Sequence, residues 1–340
     1  MLKLGVLDQS PVLGGGDAAQ ALRDTIELAK LAERLGYSRF WVSEHHNAKG
    51  LAGSSPEVLL AALGACTSHI RIGSGGVLLP HYSPYKVAEN FRVLEGLYPG
   101  RVDLGIGRAP GGMPLVSLAM GREAGKDKEA GFVNSLQELA AYLNIGPPLA
   151  SGHPLAGLAA TPDVATRPEA WLLGSSAHSA QVASAMGSGF AFAHFINGQG
   201  GQAAAREYRR RFRPGPLGAT PRVAVCVFVV CMEDDASAER EAASLDLRLL
   251  RNDKGEYGLP VPGREEALAY AYSAWDRARI AENRKRMIVG GPERTERSLY
   301  ALAASYGADE IIVNCITEDA ASRAASIERV AGLLRRRLAT

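Results

Sequence analysis

Glu44, His45, His46 and Asn47 follow one another directly after the apolar run Phe40-Trp41-Val42 and Ser43. A carboxylate, two imidazoles and an amide side by side can trade protons near neutral pH, because histidine is the side chain whose ordinary pKa lies there. While the chain stays extended, alternation puts Ser43 and His45 on one side and Glu44 and His46 on the other. One histidine would then act as a general acid or base held by a neighbour. The alternative is a strand-end pair satisfied by loop carbonyls. A metal site fits less well: adjacent histidines diverge, and the first apolar run offers only Asp8 and Gln9 as further donors.

Three more constellations carry possible chemistry. Ile72-Gly73-Ser74-Gly75-Gly76-Val77-Leu78-Leu79-Pro80 places glycines inside a strand, the signature of a bulge or of a close backbone approach. A flat ligand leaning on that strand would need its side chains removed; tight packing is the alternative. Asp103-Leu104-Gly105-Ile106-Gly107-Arg108-Ala109-Pro110-Gly111 starts like a dinucleotide fingerprint but completes no GxGxxG, and Pro110 blocks an immediate helix. Arg108 is better read as an anion clamp than as a surface salt-bridge partner. Leu173-Gly174-Ser175-Ser176-Ala177-His178-Ser179 joins a strand to a helix start. There Ser175, Ser176 and Ser179 could seat a phosphate on free N–H groups and hydroxyls, or simply cap the helix.

These residues need elements to position them. Apolar runs at 2–8, 38–43, 70–79, 101–107, 171–174, 190–194, 222–232 and 309–315 read as eight strands. Helical patterns at 17–36, 56–68, 84–97, 128–143, 177–187 and 202–212 fall between them, and a terminal helix follows the last strand. This alternation predicts parallel strands and a (β/α)8 TIM barrel. In such a barrel the C-terminal strand ends carry catalysis, and that is where the histidines fall. Between strands seven and eight the pattern has one helical hairpin too many: helices at 235–250 and 264–286 precede the usual one at 292–306. The segment 251–286 is therefore expected to be a lid over the barrel mouth.

Composition limits the alternatives. The chain has 340 residues, 46% of them hydrophobic, and reads as one domain over 1–340 with a large core. A net charge of +2 leaves no electrostatic footprint for nucleic acid. Arg335-Arg336-Arg337 suits a helix C-terminus. No apolar run approaches the roughly 18 residues of a membrane span, and the N-terminus reads as a first strand rather than a signal segment. Cys66, Cys226, Cys231 and Cys315 form no CxxC pair, which predicts buried, reduced thiols and a cytoplasmic protein.

Taken in order, Leu7-Asp8-Gln9-Ser10-Pro11, Phe40-Trp41-Val42-Ser43-Glu44-His45-His46, Gly73-Ser74-Gly75-Gly76-Val77-Leu78-Leu79-Pro80, Tyr98-Pro99-Gly100-Arg101-Val102-Asp103-Leu104-Gly105-Ile106-Gly107-Arg108 and Trp171-Leu172-Leu173-Gly174-Ser175-Ser176 resemble the bacterial luciferase-like flavin monooxygenases, in their FMN-using, alkanal monooxygenase-like branch. Met287-Ile288-Val289-Gly290-Gly291-Pro292-Glu293 is similar to the family's closing motif. The resemblance implies a TIM barrel with reduced FMN at its mouth, O2 as co-substrate and a small organic substrate. It maps the active-site histidine onto His45 and a non-prolyl cis peptide under the flavin onto Gly75–Gly76. It maps the phosphate contacts onto Arg108, Ser176 and Ser179, with Ser175 beside them. Arg122 is a second phosphate candidate, though its flanks match poorly. The luciferase cysteine falls at Gly107, and His194-Phe195-Ile196-Asn197 replaces the luciferase aromatics, so light emission and a long-chain aldehyde are not expected. The resemblance also implies a flavin reductase as a separate partner and a homodimer. It leaves open an F420-dependent hydride-transfer oxidoreductase and a flavin-binding protein without oxygenase activity.

Overall fold

A computed structural model describes residues 2–108, 114–120 and 128–336. Its strands are β1 (Lys3–Asp8), β2 (Arg39–Val42), β3 (Arg71–Ser74), β4 (Val77–Leu78), β5 (Val102–Gly107), β6 (Glu169–Gly174), β7 (Gly189–Ala193), β8 (Val223–Cys231), β9 (Met287–Gly290) and β10 (Glu310–Asn314). Parallel pairing runs β1-β2-β3-β5-β6-β7-β8, and β10 pairs with both β8 and β1, closing an eight-stranded barrel. The helices are α1 (Ala18–Arg34), α2 (Pro56–Cys66), α3 (Pro84–Leu97), α4 (Pro114–Ala119), α5 (Lys128–Tyr142), α6 (Ala177–Met186), α7 (Gly201–Arg211), α8 (Asp235–Asp253), α9 (Arg264–Ala269), α10 (Ala274–Arg284), α11 (Pro292–Tyr306) and α12 (Ala320–Arg336). The expected (β/α)8 barrel is therefore the observed fold.

Three expectations need correction. The third strand is not continuous: it breaks into β3 and β4 at the cis peptide between Gly75 and Gly76. Gly73 faces Asp103 while Val77 faces Ile106, so four steps on one side match three on the other, a bulge. Ser74 fills the gap, its hydroxyl donating to Gly105 O (2.8 Å) and accepting from Gly105 N (3.0 Å). The helix expected over 264–286 is two helices, because Ser273 and Asp276 form a reciprocal capping box that starts α10 afresh. The following run Met287–Gly290 then pairs with the C-terminal half of β8 as an extra strand. Finally, Cys66 is exposed rather than buried. It lies off the stripe Pro56, Leu60, Leu63 and Gly64 that α2 packs inward.

The barrel interior is layered. At the N-terminal end an ionic plug joins five strands. Arg39 contacts Asp103 at 2.6 Å and Glu310 at 2.9 Å, Arg71 contacts Asp103 at 2.6 Å and Glu169 at 3.1 Å, and Arg222 pairs with Glu169. Burial opposes the Arg39 charge, but Asp103 and Glu310 outweigh it and raise the pKa. Above the plug, Leu7, Trp41, Trp171, Ala191, Ala224, Cys226 and Ile312 form an apolar layer. Trp41 and Trp171 meet edge to face at 5.5 Å. The Trp41 indole N–H donates to Asp103 Oδ2 (2.9 Å), tying the two layers together.

The insertion between β8 and β10 packs against loops at the opposite end. Leu245 and Leu249 of α8 pack with Leu13, Phe228, Val261 and Ile316. Val261 N donates to Val12 O (2.9 Å), and Arg264 N donates to Glu318 Oε2 (2.9 Å). Arg286 donates to the carbonyls of Phe195 (3.2 Å) and Ile196 (3.0 Å). The insertion is thus pinned to the loops that follow β1, β7 and β10. None of the described helices is long and apolar enough to cross a membrane.

Candidate active site

At the C-terminal strand ends lies a cavity of about 270 Å³. His45, Gly75, Gly76, Arg108, Ser175, Ser176 and Ser179 all line it, although they come from loops after four different strands. Leu7, Leu78, Leu173, Ala191, Ala193 and Phe195 supply an apolar surround. Gly111 and Gly112 of the loop after β5, together with Arg122 and Arg337, lie outside the described residues.

The histidine cluster divides as alternation requires. On one side, Ser43 Oγ and His45 Nδ1 share a hydrogen bond of 3.1 Å. On the other, His46 Nε2 and Glu44 Oε1 share one of 2.7 Å. His45 N also donates to Gly53 O (2.9 Å), and the left-handed Asn47 (φ +52°) ends the extended stretch. Burial, then the nearby Arg248 charge and then His46, push the His45 pKa down to about 4. At neutral pH its ring is uncharged: Nδ1 is engaged by Ser43, and Nε2 is left to accept or donate a proton.

Glu44 is a buried anchor. Its carboxylate also accepts from Leu78 N (3.0 Å) and from the Tyr82 hydroxyl (2.7 Å), binding the β2 loop to β4. Glu44→Ala should therefore destabilise the fold by about 3 kcal/mol, since it strands three donors together. A urea titration checks this; a loss below about 1 kcal/mol would show that the anchor is dispensable.

The glycines answer first to the barrel's own packing. A Cβ on Gly75 would lie 2.5 Å from Leu7 Cδ1, and one on Gly76 would lie 2.6 Å from Gly105 O. Packing thus requires these glycines, and it also leaves the cavity wall at the bulge as bare backbone. Gly174 is comparable: a Cβ there would meet Ser179 Oγ, so its absence lets the first turn of α6 lie against the end of β6.

Across the cavity sit the anion-binding groups. Ser176 caps α6, but loosely: its Oγ is 3.5 Å from Ser179 N and 3.4 Å from Ser179 Oγ. The hydroxyls and the first-turn N–H groups keep capacity for a ligand. Asn197 Nδ2 donates to Ser175 O (3.1 Å) and steadies the loop. Arg108 is half-buried and lines the cavity, with no carboxylate partner among the described residues.

Gln9, weighed above only as a metal donor, lines the cavity itself. Two buried polar residues outside that lining escaped sequence reasoning. Arg248, on α8, is buried with Nη1 unpaired among the described residues. Asn314, at the end of β10, has both amide atoms buried and unpaired among them. The available signal was an arginine set among Leu247, Leu249 and Leu250, and an asparagine closing Ile311-Ile312-Val313.

Comparison with known proteins bears on this site. The profile of the luciferase-like monooxygenases matches residues 2–330. YwcH of Bacillus subtilis (strain 168) is 52% identical over 321 residues, covering 93% of this chain and 94% of YwcH. The N-acetyl-S-alkylcysteine monooxygenase of the same organism is 38% identical, covering 92% of each chain. Among solved structures, apo-MsnO8 is 39% identical with a TM-score of 0.89, covering 98% of this chain and 99% of that one. Two more distant structures share the fold. The oxygenating constituent of 3,6-diketocamphane monooxygenase from Pseudomonas putida, in complex with FMN, is 20% identical with a TM-score of 0.71 and covers 97% of this chain and 96% of its own. An F420-dependent secondary alcohol dehydrogenase with an F420-acetone adduct is 14% identical with a TM-score of 0.68 and covers 98% and 99%.

Proposed function

The chain belongs to the luciferase-like monooxygenase family, and from that premise we propose that it is an FMN-dependent, two-component monooxygenase acting on a small organic substrate. The observation that carries this reading is the joining, in one cavity, of an uncharged His45 with Arg108 and the loosely capped N-terminus of α6. The donor set fits FMN. A guanidinium, spare serine hydroxyls and free N–H groups suit a phosphomonoester dianion, and the side-chain-free wall at Gly75–Gly76 suits a flat ring. The FMN complex of the diketocamphane monooxygenase constituent, a protein of the same fold, supports the choice of flavin. The name of the N-acetyl-S-alkylcysteine monooxygenase supports a small organic molecule as substrate.

Reduced FMN, when bound, supplies the two electrons with which O2 gives one oxygen atom to the substrate and the other to water. The chain's own residues do the rest. Arg108, Ser175, Ser176 and Ser179 hold the phosphate. The Gly75–Gly76 backbone supports the ring. His45 holds or moves a proton at Nε2, and Ser43 fixes the ring through Nδ1. The 251–286 insertion, clamped to Val12 and to the Phe195–Ile196 loop, keeps water out. Reduced flavin comes from a separate reductase. A homodimer would use α2 and α3, where Val58, Val93 and Leu97 are exposed. The free thiols suit the reducing cytoplasm.

Arg108→Gln tests the phosphate assignment. It should weaken FMN binding by about 30-fold, the worth of one charge-assisted hydrogen bond of about 2 kcal/mol, and leave riboflavin unaffected. Fluorescence titration with FMN, riboflavin and F420 measures all three. Equal losses for FMN and riboflavin would remove the phosphate role, and clearly tighter F420 binding by the wild type would replace FMN.

A further inference from the structure

Arg248 lies on α8 beside Leu245 and Leu249, the leucines that pack the insertion onto the mouth. It is only 9% exposed, and its Nη1 finds no acceptor among the described residues. A buried cation is costly unless it is paired. Its neighbours cannot pair with it. Arg323, whose charge bears on Arg248, is already matched by Asp8 at 2.7 Å. The acids around α8 are committed elsewhere: Glu241 and Glu318 to Arg264, both at 2.9 Å, and Asp246 to Arg284 at 2.6 Å. The field of Arg248 instead reaches His45.

A second observation is independent of the first. Along β10, Glu310 faces the ionic plug and Ile312 the apolar layer, so alternation turns Asn314 into the barrel as well. Its Oδ1 and Nδ2 are both buried and unpaired among the described residues. In barrel order, the β1–β10 side is three or four strands from β5 and β6, which carry Arg108 and α6. A phosphate held there cannot also serve Arg248. Arg248 and Asn314 thus leave polar atoms without partners among the described residues, on elements other than those that carry Arg108 and α6.

We propose that Arg248 binds the carboxylate of an anionic small-molecule substrate, with Asn314 as a second polar contact. This names the substrate class of the site described above and rests on that reading. A planar guanidinium matches a carboxylate through two parallel N–H bonds. Such a ligand would satisfy the Nη1 group that the described residues leave unpaired, and it would orient the substrate beside His45.

Butyrate and its uncharged isostere butyramide are the probes. The His45 ring resonances are followed by NMR in wild type, Arg248→Met and Arg248→Lys, with and without FMN. Butyrate should raise the His45 pKa by cancelling the Arg248 charge. It should bind about tenfold more tightly than butyramide, and about tenfold more tightly to wild type than to Arg248→Met, with Arg248→Lys between them. Arg248→Met should melt no lower than wild type, because it removes an unpaired buried charge. FMN affinity should be the same in all three proteins. Equal binding of butyrate and butyramide, or of butyrate to wild type and Arg248→Met, would overturn the proposal, as would a lowered melting temperature with His45 unmoved by butyrate. Failure of the wild type to bind FMN would sink the flavin reading separately, since the butyrate response needs no flavin.

Discussion

His45→Ala should lower turnover of an identified substrate by about 10²–10⁴-fold, the range expected for a lost general acid–base group, while FMN affinity stays near that of wild type. The ring is held by Ser43 at 3.1 Å, and burial and Arg248 push its pKa down to about 4. It is therefore uncharged throughout the neutral range, and activity should show no acid limb near pH 6.5. The stability consequence has a definite sign. The unfolded chain takes up a proton near pH 6.5 that the folded ring refuses until about pH 4, so this residue makes stability fall as pH drops through that window. His45→Gln should flatten that slope. Steady-state kinetics and urea titrations between pH 4 and 7 measure both effects. Unchanged turnover in His45→Ala would remove the catalytic role.

Asp103→Ala should give the largest loss of stability, about 3–5 kcal/mol. One fully buried carboxylate answers Arg39 at 2.6 Å, Arg71 at 2.6 Å and the Trp41 indole at 2.9 Å. Its removal leaves two arginine contacts and an indole N–H unanswered inside the barrel. Asp103→Asn should cost nearly as much, because it keeps the shape and loses the charge. The midpoint of the first urea transition reads the effect. A loss below about 1 kcal/mol, typical of an exposed pair, would show that the plug is not a structural unit.

The barrel was legible because its period is written twice, in short apolar runs and in the helices between them. The candidate site was legible where chemistry concentrates in sequence. Ser43 to His46 separate into two hydrogen-bonded pairs, as alternation predicts, and the Gly75–Gly76 segment carries the bulge that its glycines announce. Other features were not legible because they depend on distant partners. Asp103 looks like one acid in a glycine-rich strand until Arg39, Arg71 and Trp41 converge on it from two other strands. Met287–Gly290 is too short to stand out as a strand, and it pairs only because β8 runs on past β10. The break before α10 hangs on a single capping box. Arg248 belongs to an insertion helix without a motif, and its bareness shows only once its neighbours are seen paired with others.

The central claim is that reduced FMN and O2 meet in the cavity between His45 and Arg108. Stopped-flow mixing of the protein and photoreduced FMN with air-saturated buffer tests it most directly, with Arg108→Gln run alongside. The expected result is flavin reoxidation about tenfold slower than that of free reduced FMN, as a site closed to bulk water would impose, and a return towards the free rate in Arg108→Gln. Reoxidation indistinguishable from free reduced FMN, in wild type and variant alike, would contradict it.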